Sequence, residues 1–156
     1  MNKVIEHKKC RLCKSDNLKA VLSLGDQYVN NFVSENEIGT GVIAPLDLAL
    51  CDDCSLLQLR HTAPQELLYS GFYWYRSGVT QTMKDALKDV VNCVKENVKL
   101  SSGDVVLDIG ANDGTLLEYY DETINKDGSE PGKNQKSEIS KKTKFVRNDF
   151  WDIENY

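Results

Sequence analysis

Two Cys-x-x-Cys pairs, Cys10-Arg-Leu-Cys13 and Cys51-Asp-Asp-Cys54, constrain this chain more than any other feature. Each pair can set two thiolates on one side of a tight turn, and two such turns facing each other complete a tetrahedron around one Zn²⁺. The 37 residues between them exceed the usual spacing of about 15–20 for this pattern. A longer loop adds little closure entropy, so the reading holds. Four reduced thiols without metal, or a redox pair, are the competing readings. The redox reading calls for a βαβ setting, whereas these pairs sit among short strand-like runs. His7 and His61 are spare ligands at most, because four thiolates already fill a structural site. With no open coordination position, the metal would be structural rather than catalytic.

The insert between the pairs holds an apolar run, Ala20 to Leu24, and then a polar stretch over 25–41. Leu46, Leu48 and Leu50 alternate with Asp47 and Ala49, and beyond Cys54 Leu57 and Leu59 flank Gln58. These two segments predict antiparallel strands on either side of the second turn. Lys8, Lys9, Arg11, Lys14 and Lys19 make the first turn basic, which fits a zinc-ribbon module that contacts protein or nucleic acid. The net charge of −5 does not favour nucleic acid or an acidic membrane surface as partner. No apolar run approaches the ~18 residues of a membrane span. No secretory leader is visible either, so a cytoplasmic setting is expected, and there clustered cysteines suggest metal rather than disulfides.

Past Pro64 the chain carries five aromatics in seven residues, Tyr69, Phe72, Tyr73, Trp74 and Tyr75. They suit packing or the lining of a pocket. From Val79 apolar residues recur at helical steps through Met83, Ala86, Leu87, Val90, Val91, Val94 and Val98, with Ser77 or Thr80 as cap. Cys93 lies beside this stripe and reads as a buried thiol. The stretch Val105–Leu117, VVLDIGANDGTLL, then reads as buried strand, small-residue loop and helix start, the opening unit of an α/β sheet. Glycines let such a loop approach a ligand, and a helix behind it would offer free N–H groups. The loop lacks the G-x-G-x-x-G of a dinucleotide site, since Asn112 stands where the second glycine would be. Asn tolerates the left-handed conformation better than other non-glycine residues. The tract 121–144 is polar and reads alone as a solvated or disordered loop. Lys144 to Asp149 looks like a further strand.

The order D-x-G-x-N-x-G over 108–114 resembles motif I of class I S-adenosylmethionine (SAM) dependent methyltransferases. The whole chain resembles the sugar C-methyltransferases that carry an N-terminal Cys₄ zinc domain before a SAM-binding Rossmann-like domain. The matching pieces are CRLC at 10–13, CDDC at 51–54, YWYRSGVTQTMKDAL at 73–87 and VLDIGANDGTLL at 106–117, in the family's order. The resemblance implies an α/β fold: a small zinc domain over 1–62, an aromatic segment and connecting helix over 63–100, and the start of a Rossmann-like sheet over 101–156. It implies that Asp108, Gly110, Asn112 and Gly114 face SAM. A second strand near Lys126 would end in Glu130, placed to meet a ribose, and Asp149 and Phe150 would lie beside the adenine.

Tyr73 and Tyr75 are the candidates for positioning the methyl donor or the sugar. The implied substrate is a nucleotide-linked deoxy-keto sugar, with C-methylation through an enolate. The family's later strands and downstream His/Glu acid–base residues have no counterpart in these 156 residues. On that basis the chain reads as an N-terminal fragment, with weak or no SAM affinity and inactive alone. Its first strand would then have an unpaired edge, open to self-association.

Overall fold

A computed structural model describes residues 4–29, 33–71 and 73–155. Phe72, one of the five clustered aromatics, lies outside the described residues. The chain divides into two compact units, Met1–Leu68 and Tyr69–Tyr156. The fold is mixed α/β, with the four-cysteine cluster in the first unit and a three-stranded parallel sheet in the second.

In the first unit β1 (Ile5–Glu6) is followed by β2 (Leu18–Tyr28), β3 (Ile43–Cys51), β4 (Leu57–Leu59) and β5 (His61–Thr62). The order β2-β3-β4 is antiparallel throughout, and β1 pairs with β5. The leucine alternation therefore marks strands, but its inward face is not the leucine face. Ala49 and Gln58, partners in register, are buried, while Leu57 and Leu59 are exposed. Gln58 turns inward because its Oε1 accepts the Arg11 amide, 2.9 Å away, at the first cysteine turn.

In the second unit α1 (Gln81–Asn97) is capped by Thr80, whose side chain accepts the Met83 amide. Val91 is buried and Met83, Leu87 and Val94 are half-buried on the same face. Val79, Val90 and Val98 are exposed, so the buried stripe is narrower than the apolar periodicity suggests. Cys93 falls off that face and is exposed, which corrects its reading as a buried thiol. Val91 packs with Ala111, Leu117, Tyr120, Ile124 and Ile139. Burying Val, Leu or Ile fully contributes roughly 1.5–3 kcal/mol each.

The sheet is β6 (Val105–Ile109), β7 (Asn125–Ser129) and β8 (Phe145–Arg147), all parallel, with β7 in the centre. This matches the 3-2-1 half of a doubly wound sheet. Two expectations are corrected here. The segment after the 110–114 loop is a single 3-10 turn, Leu116–Tyr119, rather than an α-helix. The polar residues after Asp121 supply no apolar stripe that would continue it. The tract 121–144 is in turn not a solvated loop: it contributes β7 and the short α2 (Lys136–Ile139), whose Ile139 is fully buried. Strand β7, Asn-Lys-Asp-Gly-Ser, has poor β propensity. It forms because both its edges are hydrogen-bonded, and context of that kind overrides propensity. Lys126 buries its stem and lies 3.5 Å from Glu122 at its ammonium.

Gly128 lets α2 sit close on the sheet. A Cβ there would stand 2.6 Å from Ile139 Cδ1 and 3.3 Å from Ala111 Cβ. Gly128→Ala should therefore destabilise the second unit by about 1–3 kcal/mol through overpacking. Urea unfolding of wild type and variant checks this; an unchanged midpoint would show that α2 does not pack as described.

Candidate functional site

The two Cys-x-x-Cys turns have the same construction. In the first, the Cys10 amide donates to Ser15 O and the Lys14 amide to Cys10 O; in the second, the Cys51 amide donates to Leu56 O and the Ser55 amide to Cys51 O. Each turn closes on a left-handed residue, Lys14 at φ 66° and Ser55 at φ 61°. The four Sγ atoms lie within 4.8 Å of one another, with Cys10–Cys54 and Cys13–Cys51 at 3.5 Å. A tetrahedron with Zn–S bonds of 2.3 Å has S···S edges of about 3.8 Å, so the cluster fits zinc. His7 and His61 stand outside it: His7 Nε2 is hydrogen-bonded to Thr62 Oγ1 and His61 Nδ1 lies 3.3 Å from Asp47 Oδ2.

Four adjacent sulfurs cannot all ionise without a cation. The Cys13 amide, with help from the Leu12 amide and the Cys54 thiol, holds Cys10 down to about 6 against the effect of burial. At Cys13 the Ser15 amide favours the thiolate, but burial and the other three sulfurs outweigh it and push the thiol up to about 12. Cys54 is likewise raised: burial and its Cys10 and Cys51 neighbours prevail over the Leu56 amide. A divalent ion removes this repulsion by stabilising every thiolate at once.

In the second unit the strand register gathers the other candidates. Ile109, Ser129 and Arg147 are aligned across β6, β7 and β8. The residues that follow them, Gly110–Gly114, Glu130, and Asp149 with Phe150, thus lie together at the carboxyl ends of three adjacent parallel strands. Asp108 is half-buried in β6. Burial first, and then the charge of Glu130, holds its carboxyl above the usual carboxylate range.

The loop itself turns through left-handed residues, Gly110 at φ 79°, Asn112 at φ 51° and Gly114 at φ 76°. Nothing stands within 4 Å of where a Cβ on Gly110 would be. Four of the five loop amides are not free, however. Those of Gly110 and Ala111 donate to Ser129 O, that of Gly114 to Ala111 O, and that of Asn112 to Glu130 Oε2 at 2.8 Å. The loop is therefore no phosphate cradle of unpaired N–H groups. Glu130 is buried, and its Oε1 accepts the Gly132 amide at 2.7 Å, so the carboxylate joins the loops that follow β6 and β7. Each of its oxygens retains a second lone pair for a ligand hydroxyl. Asp149 is exposed and Phe150 half-buried; Ser129 Oγ donates to Asp149 O, which sets the turn after β8 against β7.

The aromatic segment lies beside this end of the sheet. Tyr69 and Tyr73 meet edge to face at 5.7 Å between centroids, and Tyr73 and Tyr75 are 6.5 Å apart. Burial, then the neighbouring Tyr69 and the charge of Glu130, pushes the Tyr73 phenol up. Three residues that the motifs do not single out also converge here: Asp113, Asn134 and Gln135. Burial would raise Asp113, but the Thr115 hydroxyl, the Gly78 and Thr115 amides and Lys142 outweigh it and hold its carboxyl low. Asn134 and Gln135 bond to the backbone of the aromatic segment. Their only sequence signal was a polar tract, and that pattern cannot show burial.

Comparison with known proteins gives two likenesses. Residues 10–69 match a family described as "Putative zinc binding domain". The chain is also 30% identical over 113 residues to the C-methyltransferase NovU of Streptomyces niveus; the match covers 71% of this chain and 27% of that protein. The chain thus spans about a quarter of the length of that relative. Together the likenesses support a zinc-domain methyltransferase family. No helix among the described residues is long and apolar enough to cross a membrane.

Purified protein should carry one zinc per chain by elemental analysis, and Cys51→Ser should lose it and leave the first unit unfolded, because metal affinity here is folding free energy. Reduced, freshly prepared protein without zinc would contradict this. Asp108 gives a second test. A carboxyl raised in the folded state makes the native protein bind more protons than the unfolded chain, so stability falls as pH rises through the window above the unfolded value of about 3.9. Asp108→Asn should therefore melt higher than wild type at pH 7, and the difference should shrink as the pH is lowered. A variant that is less stable at pH 7 would mean that the charged form is the favoured one.

Proposed function

We propose that this chain provides the structural zinc domain and the first part of the cofactor site of a cytoplasmic, SAM-dependent methyltransferase, acting on a carbon of a nucleotide-linked deoxy-keto sugar. The observation that carries the reading is the meeting of the Gly110–Gly114 loop, Glu130 and the Asp149-Phe150 turn at the carboxyl ends of adjacent parallel strands. A doubly wound sheet binds its ligand at that end. The loop favours a nucleoside over a phosphate: four of its five amides are engaged internally, while Gly110 leaves open space for a ligand to come close. Glu130 supplies an acid about 20 residues past the loop, the distance at which one meets a ribose.

SAM supplies an electrophilic methyl group on a sulfonium. The part of this chain is to bind and orient. In this reading Glu130 accepts from a ribose hydroxyl, Phe150 covers the adenine, and the Tyr73 and Tyr75 rings face the cationic sulfur or the sugar. Removal of the proton beside the ketone makes the carbon nucleophile. The zinc stands apart from this chemistry, since its four sulfurs leave no open position.

A second reading, a zinc-ribbon module that contacts another protein, draws on the first unit. Leu22, Leu24, Leu57 and Leu59 are exposed on strands of one sheet. Nucleic acid is less well served, because Lys19 pairs with Asp52 and the Arg11 guanidinium bonds Leu59 O and Thr62 Oγ1.

Calorimetry with the zinc-loaded chain decides whether the loop is a cofactor site. Weak, saturable SAM binding is expected. Gly110→Val, which places a branched side chain at a positive φ where the ligand would approach, should reduce it at least about tenfold. Equal affinity in the two proteins, or no binding by wild type, would refute the assignment.

A further inference from the structure

The backbone of Tyr73–Gly78 makes no strand or helix, yet it is held at many points, mostly by side-chain amides. The Tyr73 amide donates to Asn134 Oδ1 at 3.0 Å, and Asn134 Nδ2 returns a bond to Tyr73 O, also at 3.0 Å. Gln135 Nε2 donates to Tyr73 O at 3.3 Å and to Tyr75 O at 3.1 Å. Asn112 Nδ2 donates to Tyr75 O at 2.9 Å, and Asn112 Oδ1 accepts the Ser77 amide at 3.0 Å. Asp113 Oδ2 accepts the Gly78 amide at 2.8 Å. The approach is so close that a Cβ on Gly78 would stand 2.5 Å from Thr115 Oγ1 and 2.9 Å from Asp113 Oδ2.

Packing alone does not call for this arrangement. Gln135 is fully buried and its Oε1 has no partner among the described residues. An unsatisfied buried polar atom is destabilising, and an apolar residue of similar size would avoid that cost. Every bond the Gln135 side chain makes goes to the backbone at Tyr73 and Tyr75. The two anchor points follow β6 and β7 respectively, the strands that carry the proposed cofactor loop and Glu130. The held segment is the one that bears the tyrosine rings, with Tyr75 about half exposed.

We infer that Asn112, Asn134 and Gln135 are positioning residues, which fix the Tyr73–Gly78 backbone so that the Tyr73 and Tyr75 rings face the positive sulfur of the methyl donor and favour it over the neutral demethylated product. The inference rests on the cofactor reading above. It assigns the Tyr rings a task that depends on charge: a ring face attracts a sulfonium and gains nothing from a thioether. Loosening the backbone should therefore erode the preference for SAM over S-adenosylhomocysteine more than it weakens binding of the shared adenosine.

The test is an NMR titration of the zinc-loaded chain with each ligand, combined with amide exchange. Wild type should bind both and prefer SAM. Asn134→Ala and Gln135→Leu should expose the Tyr73 amide to faster exchange and lower the SAM preference about three- to thirtyfold, with affinity for S-adenosylhomocysteine nearly unchanged. Asn134→Asp keeps the acceptor for the Tyr73 amide and should restore part of the preference. Gln135→Leu fills the same space without polar atoms, so it guards against loss of the fold. An unchanged ratio in both variants, or equal weakening of the two ligands, overturns the positioning role and leaves the cofactor reading standing. Wild type that binds neither ligand overturns both.

Discussion

A backbone amide that leaves regular structure and water must still find an acceptor, and at the loops around both sites several of the acceptors are polar side chains brought from elsewhere along the chain. Glu130 takes the Asn112 and Gly132 amides, and so sets the shape of two loops at once. Gln58 takes the Arg11 amide inside the first cysteine turn. Asn134, Asn112 and Asp113 take the amides of the aromatic segment. Each such acceptor is buried or half-buried, so it is shielded from competing water and gives its loop one geometry.

The zinc cluster meets a different constraint. Its two turns repeat one hydrogen-bond pattern around sulfurs held closer than independent thiolates tolerate. Hydrogen bonds to Cys10 favour a first charge, and the crowding of sulfurs opposes the next. The folded turns are thus arranged for an ion, and in such sites metal binding and folding are one equilibrium. This explains how a unit with a sparse core, whose buried apolar side chains among the described residues are small ones, alanine, cysteine and Pro64, can be ordered.

The parallel sheet shows how far context can carry an unpromising sequence. Strand β7 has no apolar side chain, yet it is central, because β6 and β8 satisfy both its edges and Gly128 admits Ile139. Its placement sets Glu130 beside the 110–114 loop. The polar character of β7 and the presence of a buried acid at its end are therefore linked: the strand is held by backbone pairing, and its side chains are left to serve the loops.

The sequence alone determined what depends on covalent spacing. Two Cys-x-x-Cys pairs are close in the chain, so their ligand chemistry and geometry are legible from residue type. The same is true of the Thr80 cap before α1 and of the Val105–Ile109 strand with its glycine-rich loop, though not of the burial expected for that strand, since Val105 and Ile109 are exposed. Only the tertiary structure decided what depends on partners distant in sequence. It turned Gln58 rather than its flanking leucines inward, buried β7 within a tract that reads as solvated, and left Cys93 and Val90 on the surface. It also joined Asn112, Asn134 and Gln135 to a segment some 35 to 62 residues earlier. Hydrophobic periodicity reports burial only where burial is apolar, whereas here much of it is polar and hydrogen-bonded. An amide side chain reads the same in a solvated loop as in a buried clamp until its partners are placed.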